Sequence, residues 1–153
     1  PELVFDKGLG EIFPIRVAGN VISSQGVASM EYAIEHLGAK LLVVMGHESC
    51  GAVKAALQTP VGKSAGSYDL DNLLSAIRPN VEAHRAIASE DKSLRAPVEA
   101  NVNGVACGLV KRSQIIREAL IKGHLKIAPA VYSLETGKVD FWDIKKDCLP
   151  KGH

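Results

Sequence analysis

Apolar and polar positions come in short blocks along the first fifty residues. The run Ile12–Val17 is entered through the turn-prone Lys7-Gly8-Leu9-Gly10 and left through Ala18-Gly19-Asn20, which predicts a short buried strand. From Gly26 the apolar residues Val27, Met30, Ile34 and Leu37 recur at helical spacing, and Gly38 stands where a left-handed C-terminal cap is wanted. Leu41–Met45 then predicts a second strand. Strand, helix and strand form a β–α–β unit, and short continuous apolar strands of this kind belong to parallel sheets covered by helices.

Beyond the second strand, Ala52–Leu57 is compatible with a helix and Thr59–Tyr68 is the clearest loop in the chain. Asp69 can cap a helix carrying Leu70, Leu73, Leu74 and Ile77, and Pro79 can begin another that runs to about Ala88. A polar segment, Ser89–Arg95, precedes a long helical region from about Pro97 to Lys122, with Val98, Val102, Val105 and Leu109 on one face, and Gly123 ends it. Lys126–Leu134 and Lys138–Ile144 read as strands joined at Glu135-Thr136-Gly137, a hairpin at the edge of the sheet. The fold class is therefore α/β: a mainly parallel central sheet flanked by helices, with a C-terminal edge hairpin, in a single domain spanning residues 1–153.

Composition excludes more than it proposes. Eighteen basic against seventeen acidic residues leave a net charge of +1, so the overall balance implies neither nucleic acid nor an anionic membrane as partner. The chain has no apolar run of membrane-spanning length and does not open on a charged, then apolar, leader segment. Three widely spaced cysteines, Cys50, Cys107 and Cys148, argue for a reducing compartment over a disulfide scaffold, with the cytoplasm as the default. The first residue is Pro1, so a targeting segment further upstream stays open.

The candidate chemistry lies on the turn after Leu41–Met45. His47 and Cys50 place an imidazole and a thiol three residues apart, beyond the carboxyl end of a strand, where α/β proteins collect their ligands. Both are donors that Zn²⁺ accepts. A buried structural cysteine and a solvated loop histidine remain the competing reading. Gly62-Lys63-Ser64 resembles the end of a phosphate loop, but Leu57 occupies the place of its first glycine, and Gly8-Leu9-Gly10 lacks the third glycine of a dinucleotide turn.

Six stretches, in order, resemble the β class of carbonic anhydrases. They are Pro1-Glu2-Leu3-Val4-Phe5-Asp6, Gly10-Glu11-Ile12-Phe13, Arg16-Val17-Ala18-Gly19-Asn20, Glu31-Tyr32-Ala33, Gly46-His47-Glu48-Ser49-Cys50-Gly51-Ala52-Val53 and Ala130-Val131-Tyr132-Ser133-Leu134-Glu135-Thr136-Gly137. The resemblance implies reversible hydration of CO₂ to bicarbonate and a proton by zinc-bound hydroxide, with one Zn²⁺ per chain held in part by His47 and Cys50. It implies a narrow apolar substrate slot lined by Phe13, Ala18, Tyr32 and the backbone at Gly51, and a homodimer or higher homo-oligomer. Taken alone, Phe13 and Tyr32 could be core residues, and Gly51 could serve a close backbone approach at a helix start.

The family's other zinc cysteine, with the Asp–Arg pair expected to act in catalysis, lies in an upstream Cys-x-Asp-Ser-Arg motif that this sequence does not contain. The expectation is a domain incomplete at its N-terminus in a longer, complete enzyme; the alternative is a shortened protein without a full metal site, serving as a metal-free assembly module. A relative acting on CS₂ or COS is a further alternative. A buried Arg16 could meet bicarbonate or a partner's carboxylate, whereas His36, His84, His124 and His153 read as solvated or capping residues, and Cys107 and Cys148 stay outside the site.

Overall fold

A computed structural model describes residues 1–87 and 94–150. Its elements run α1 (Glu2–Phe5), α2 (Ser24–His36), β1 (Leu41–His47), α3 (Gly51–Gln58), α4 (Tyr68–Val81), α5 (Arg95–Arg112), α6 (Gln114–Ile121), β2 (Lys126–Tyr132) and β3 (Val139–Phe141), with 3-10 turns at Ala18–Asn20, Glu82–Ile87 and Lys146–Cys148. The sheet order is β1-β2-β3. β1 and β2 are parallel, from Leu41 opposite Lys126 to His47 opposite Tyr132, and β3 runs antiparallel to β2. The α/β class, the parallel pairing and the terminal hairpin match the sequence expectation.

Helix α5 is the centre of the packing. It lies against β1 and β2 and also meets α4 and α6. Its stripe of Val98, Val102, Val105 and Leu109 is buried with Ile77 and Val81 of α4 and Ile116 and Leu120 of α6. Ile77, Leu109 and Ile116 are fully buried, each contributing about 1.5–3 kcal/mol by leaving water. At the C-terminal end of α5, Arg112 donates to the Ser24 hydroxyl at 2.8 Å, and Ser113, just past the helix, donates to Glu31 at 2.6 Å. Both bonds hold α2 against the α5–α6 corner.

Several boundaries differ from the sequence reading, each for a physical reason. Residues 12–17 are not a strand: no strand runs beside them among the described residues, and an extended segment without a ladder partner gains no sheet. Pro79 does not start a helix but lies inside α4. Burial of Ile77 and Val81 on either side outweighs the roughly 3 kcal/mol that an internal proline costs. Ser67, not Asp69, caps α4, accepting from the Leu70 N–H at 3.2 Å.

The long helical region from 97 to 122 is two helices, broken at Ser113, whose hydroxyl accepts from the Ile116 N–H and caps α6. Most of the polar segment 89–95 lies outside the described residues, and Arg95 is the first residue of α5. The last strand is cut to three residues because the chain turns back from Trp142 onto α5. There the Trp142 indole donates to Asn103 Oδ1 at 2.9 Å, and Cys148 forms a disulfide with Cys107, their Cα atoms 5.0 Å apart. That bond removes the premise that the three cysteines argue for a reducing compartment: only Cys50 is free.

Candidate active site

The parallel ladder delivers His47 to the last position of β1, and the Glu48 N–H extends it by one bond to the Tyr132 carbonyl at 3.1 Å. The chain then reverses through Ser49, a non-glycine residue in the left-handed region at φ 57. Such a conformation costs about 1–3 kcal/mol and tends to mark functional turns. Cys50 follows as the residue capping α3, its carbonyl accepting from the Lys54 N–H at 3.0 Å.

His47 is exposed and its Nδ1 lies 2.8 Å from the Glu48 carbonyl oxygen. A carbonyl can only accept, so Nδ1 donates, and in the neutral ring Nε2 is then the nitrogen with a lone pair to offer. This is the arrangement by which proteins fix the tautomer of a metal-binding histidine. Cys50 is buried at 6% exposure. The turn thus carries one nitrogen and one sulfur donor that suit zinc. Among the described residues no group of three or more His, Cys, Asp or Glu side chains is placed to hold a metal. The donor set present fits half of a tetrahedral site.

The other expected site residues lie at the surface of the chain taken by itself. Phe13 is 49% and Tyr32 54% exposed, and Ala18 and Gly51 are exposed as well. The Tyr32 ring lies along α2 beside His36, centroids 4.8 Å apart. Gly51 has no steric need to be glycine: a Cβ there would meet nothing within 4 Å. Arg16 is exposed, not buried. A cavity of about 330 Å³ lined by Lys40, His124, Leu125 and Lys126 lies at the opposite ends of β1 and β2 from His47 and belongs to no candidate chemistry.

Three features around the turn escaped the sequence reading. Gly46, just before His47, is where glycine is required, since a Cβ would come within 2.7 Å of Val98 and 2.9 Å of Val102 on α5. Asn101 is fully buried and donates to the Gly19 carbonyl at 2.8 Å and to Asn20 Oδ1 at 3.3 Å, while accepting from Asn80 Nδ2 at 3.0 Å. An amide standing three residues after Val98 and four before Val105, within an apolar stripe, was the available signal. Arg95 reaches Glu48 at 3.4 Å, Glu99 at 2.5 Å and Asp140 at 3.0 Å. No periodicity could have shown that contact, because it joins residues 45 and 47 positions apart.

A family model described as carbonic anhydrase matches residues 1–139. The chain belongs to the carbonic anhydrase family. Carbonic anhydrase 2 of Mycobacterium tuberculosis is 36% identical over 140 residues, covering 90% of this chain and 65% of the relative. This chain therefore spans a little under two thirds of that protein's length. Among solved structures, the β-carbonic anhydrase CafA of Aspergillus fumigatus superposes with a TM-score of 0.82 at 28% identity, covering 95% of this chain and 70% of the other. A Coccomyxa β-carbonic anhydrase, solved in complex with acetazolamide, gives 0.76 at 29% identity, covering 92% and 65%. Within the family the chain is of the β class.

Proposed function

We propose that this chain is part of a zinc-dependent carbonic anhydrase that interconverts CO₂ and bicarbonate, with His47 and Cys50 as two of the metal's ligands. The observation that carries this is the pairing of an Nδ1-anchored His47 with the single free, buried thiol of Cys50 on one turn of a carbonic anhydrase fold. The remaining ligands come, in this proposal, from a Cys-x-Asp-Ser-Arg motif outside these residues. Zinc, when bound, supplies the Lewis acidity that makes hydroxide available near neutral pH.

The chain's own residues supply position. The Glu48 carbonyl engages Nδ1 of His47 and so leaves Nε2 for the metal, and the core around Cys50 keeps its sulfur at the start of α3. Phe13, Ala18, Tyr32 and the backbone of Gly51 line the substrate's approach once a second copy covers them. The exposed apolar side chains Leu3, Leu9, Phe13, Val17 and Tyr32, together with β1 at the edge of the described sheet, support a homodimer or larger assembly. No helix among the described residues is long and apolar enough to cross a membrane.

The alternative, a metal-free assembly module of the same fold, draws on the two-donor count of the described site. Zinc analysis of the purified protein with CO₂ hydration measured by stopped flow separates the two. About one zinc per chain and hydration lost in Cys50→Ser supports the enzyme. A protein that takes up no zinc when it is offered leaves the module.

A further inference from the structure

We propose that Arg95 is a positioning residue for the His47–Cys50 turn, holding it through Glu48 and tying it to α5 and β3. The proposal rests on the reading of His47 and Cys50 as metal ligands. Glu48 is the hub of the turn: its N–H is spent on the Tyr132 carbonyl, its own carbonyl accepts from His47 Nδ1, and its carboxylate receives Arg95 Nη1 at 3.4 Å. Whatever fixes Glu48 fixes the imidazole.

Arg95 is built to do so. Its Nε donates to Glu99 one turn further along α5 at 2.5 Å, and its Nη2 donates to Asp140 on β3 at 3.0 Å. Three different nitrogens thus address carboxylates on α5 itself, on β3 and on the turn after β1, a task for a planar fork that the single ammonium of lysine does not replicate. The residue before it, Leu94, is 4% exposed in a left-handed conformation at φ 53, so a buried side chain anchors the backbone from which Arg95 projects. On the other side of the hub, Ser49 holds the strained left-handed turn, which persists only where its surroundings over-determine it. The guanidinium is held firmly protonated, chiefly by Glu99 and then by Asp140.

Cys50 offers a clean reporter, because Cys107 and Cys148 are tied to one another. Iodoacetamide labelling of the native, unreduced protein, read by mass spectrometry on the peptide containing Cys50, measures how firmly the turn is held. Arg95→Met should speed labelling about tenfold, the order expected for loss of a charge-assisted hydrogen bond. Glu48→Gln should do the same, and the double variant should be no faster than either single one. Arg95→Lys should recover only part of the protection. Ile116→Val, which weakens the core away from the turn, should leave labelling unchanged at a temperature where all variants are folded.

Labelling of Arg95→Met within twofold of the parent, or rates that multiply in the double variant, would overturn the proposal. Competition of the same proteins with a chelator for Zn²⁺ provides the second readout, with about tenfold weaker retention expected in Arg95→Met. A parent protein that takes up no zinc defeats the metal reading, while the labelling series still decides whether Arg95 holds the turn.

Discussion

Asn101 on α5 donates its side-chain amide to the carbonyl of Gly19 at 2.8 Å, with Asn101 entirely out of contact with solvent. This bond ties the Ala18–Asn20 turn to α5, whose Val98, Val102, Val105 and Leu109 are buried. Gly19 itself sits at φ 64 with Ile77 so close that a Cβ would come within 2.5 Å of it. Replacing Asn101 by Leu removes the partner of a buried carbonyl and of the Asn80 amide. The expected loss is about 2–6 kcal/mol, at roughly 1–3 kcal/mol for each of the two orphaned groups, read by urea unfolding, with faster amide exchange across residues 18–20.

Gly46 and Gly51 flank the His47–Cys50 turn and should respond in opposite ways. Gly46→Ala drives a methyl into Val98 and Val102, an overpacking that costs about 1–3 kcal/mol, and Val98→Ala should restore part of it. Gly51→Ala adds a methyl to open space at the first residue of α3, so stability should stay within about 0.5 kcal/mol. Thermal unfolding of both variants checks the pair. A fall in CO₂ hydration in Gly51→Ala at unchanged stability would place that position in the substrate's path.

The Cys107–Cys148 bond closes a loop of sequence separation 41 between α5 and the C-terminal tail. Loop-closure entropy for a ring of that size is worth about 4 kcal/mol. Cys148→Ser and addition of reductant to the parent should each lower the melting temperature, by the same number of degrees, and reductant should have no further effect on the variant. Thiol titration of the unreduced protein should find one reactive group from these three cysteines. Three such groups in freshly isolated protein would restore the case for a reducing compartment.

Asp71 gives the loop before α4 a dependence on pH. Its carboxylate accepts from the Ala65 N–H at 2.6 Å and the Ser64 hydroxyl at 2.9 Å, and these bonds, the backbone one first, hold its pKa below the usual range. A carboxyl group with a depressed folded-state pKa is protonated more readily in the unfolded chain. Its contribution is therefore complete above the unfolded pKa, about 3.9, and disappears as pH falls through the folded value. Asp71→Asn should destabilise the protein at pH 7, and the gap to the parent should narrow as the pH falls below the unfolded pKa of about 3.9, as followed by melting temperature against pH.

How far the sequence could be read depended on how local the determining interactions were. The periodic stripe Val98, Val102, Val105 and Leu109, the left-handed Gly38 after α2, and the turn at 135–137 between β2 and β3 involve neighbours a few positions apart, so pattern and turn chemistry were sufficient to place them. The apolar run ending at His47 set the position of the candidate donors for the same reason. Tertiary context decided the rest. Residues 12–17 had the composition of a strand but, among the described residues, no neighbouring strand to pair with, and Pro79 was kept inside α4 because Ile77 and Val81 are buried on either side of it. Cys107 met Cys148 only because the tail folds back from Trp142 onto α5. The bond from Asn101 to Gly19 spans 82 positions, and the contact of Arg95 with Glu48 spans 47; contacts of that length arise when helices and strands are packed, and no periodicity along the chain encodes them.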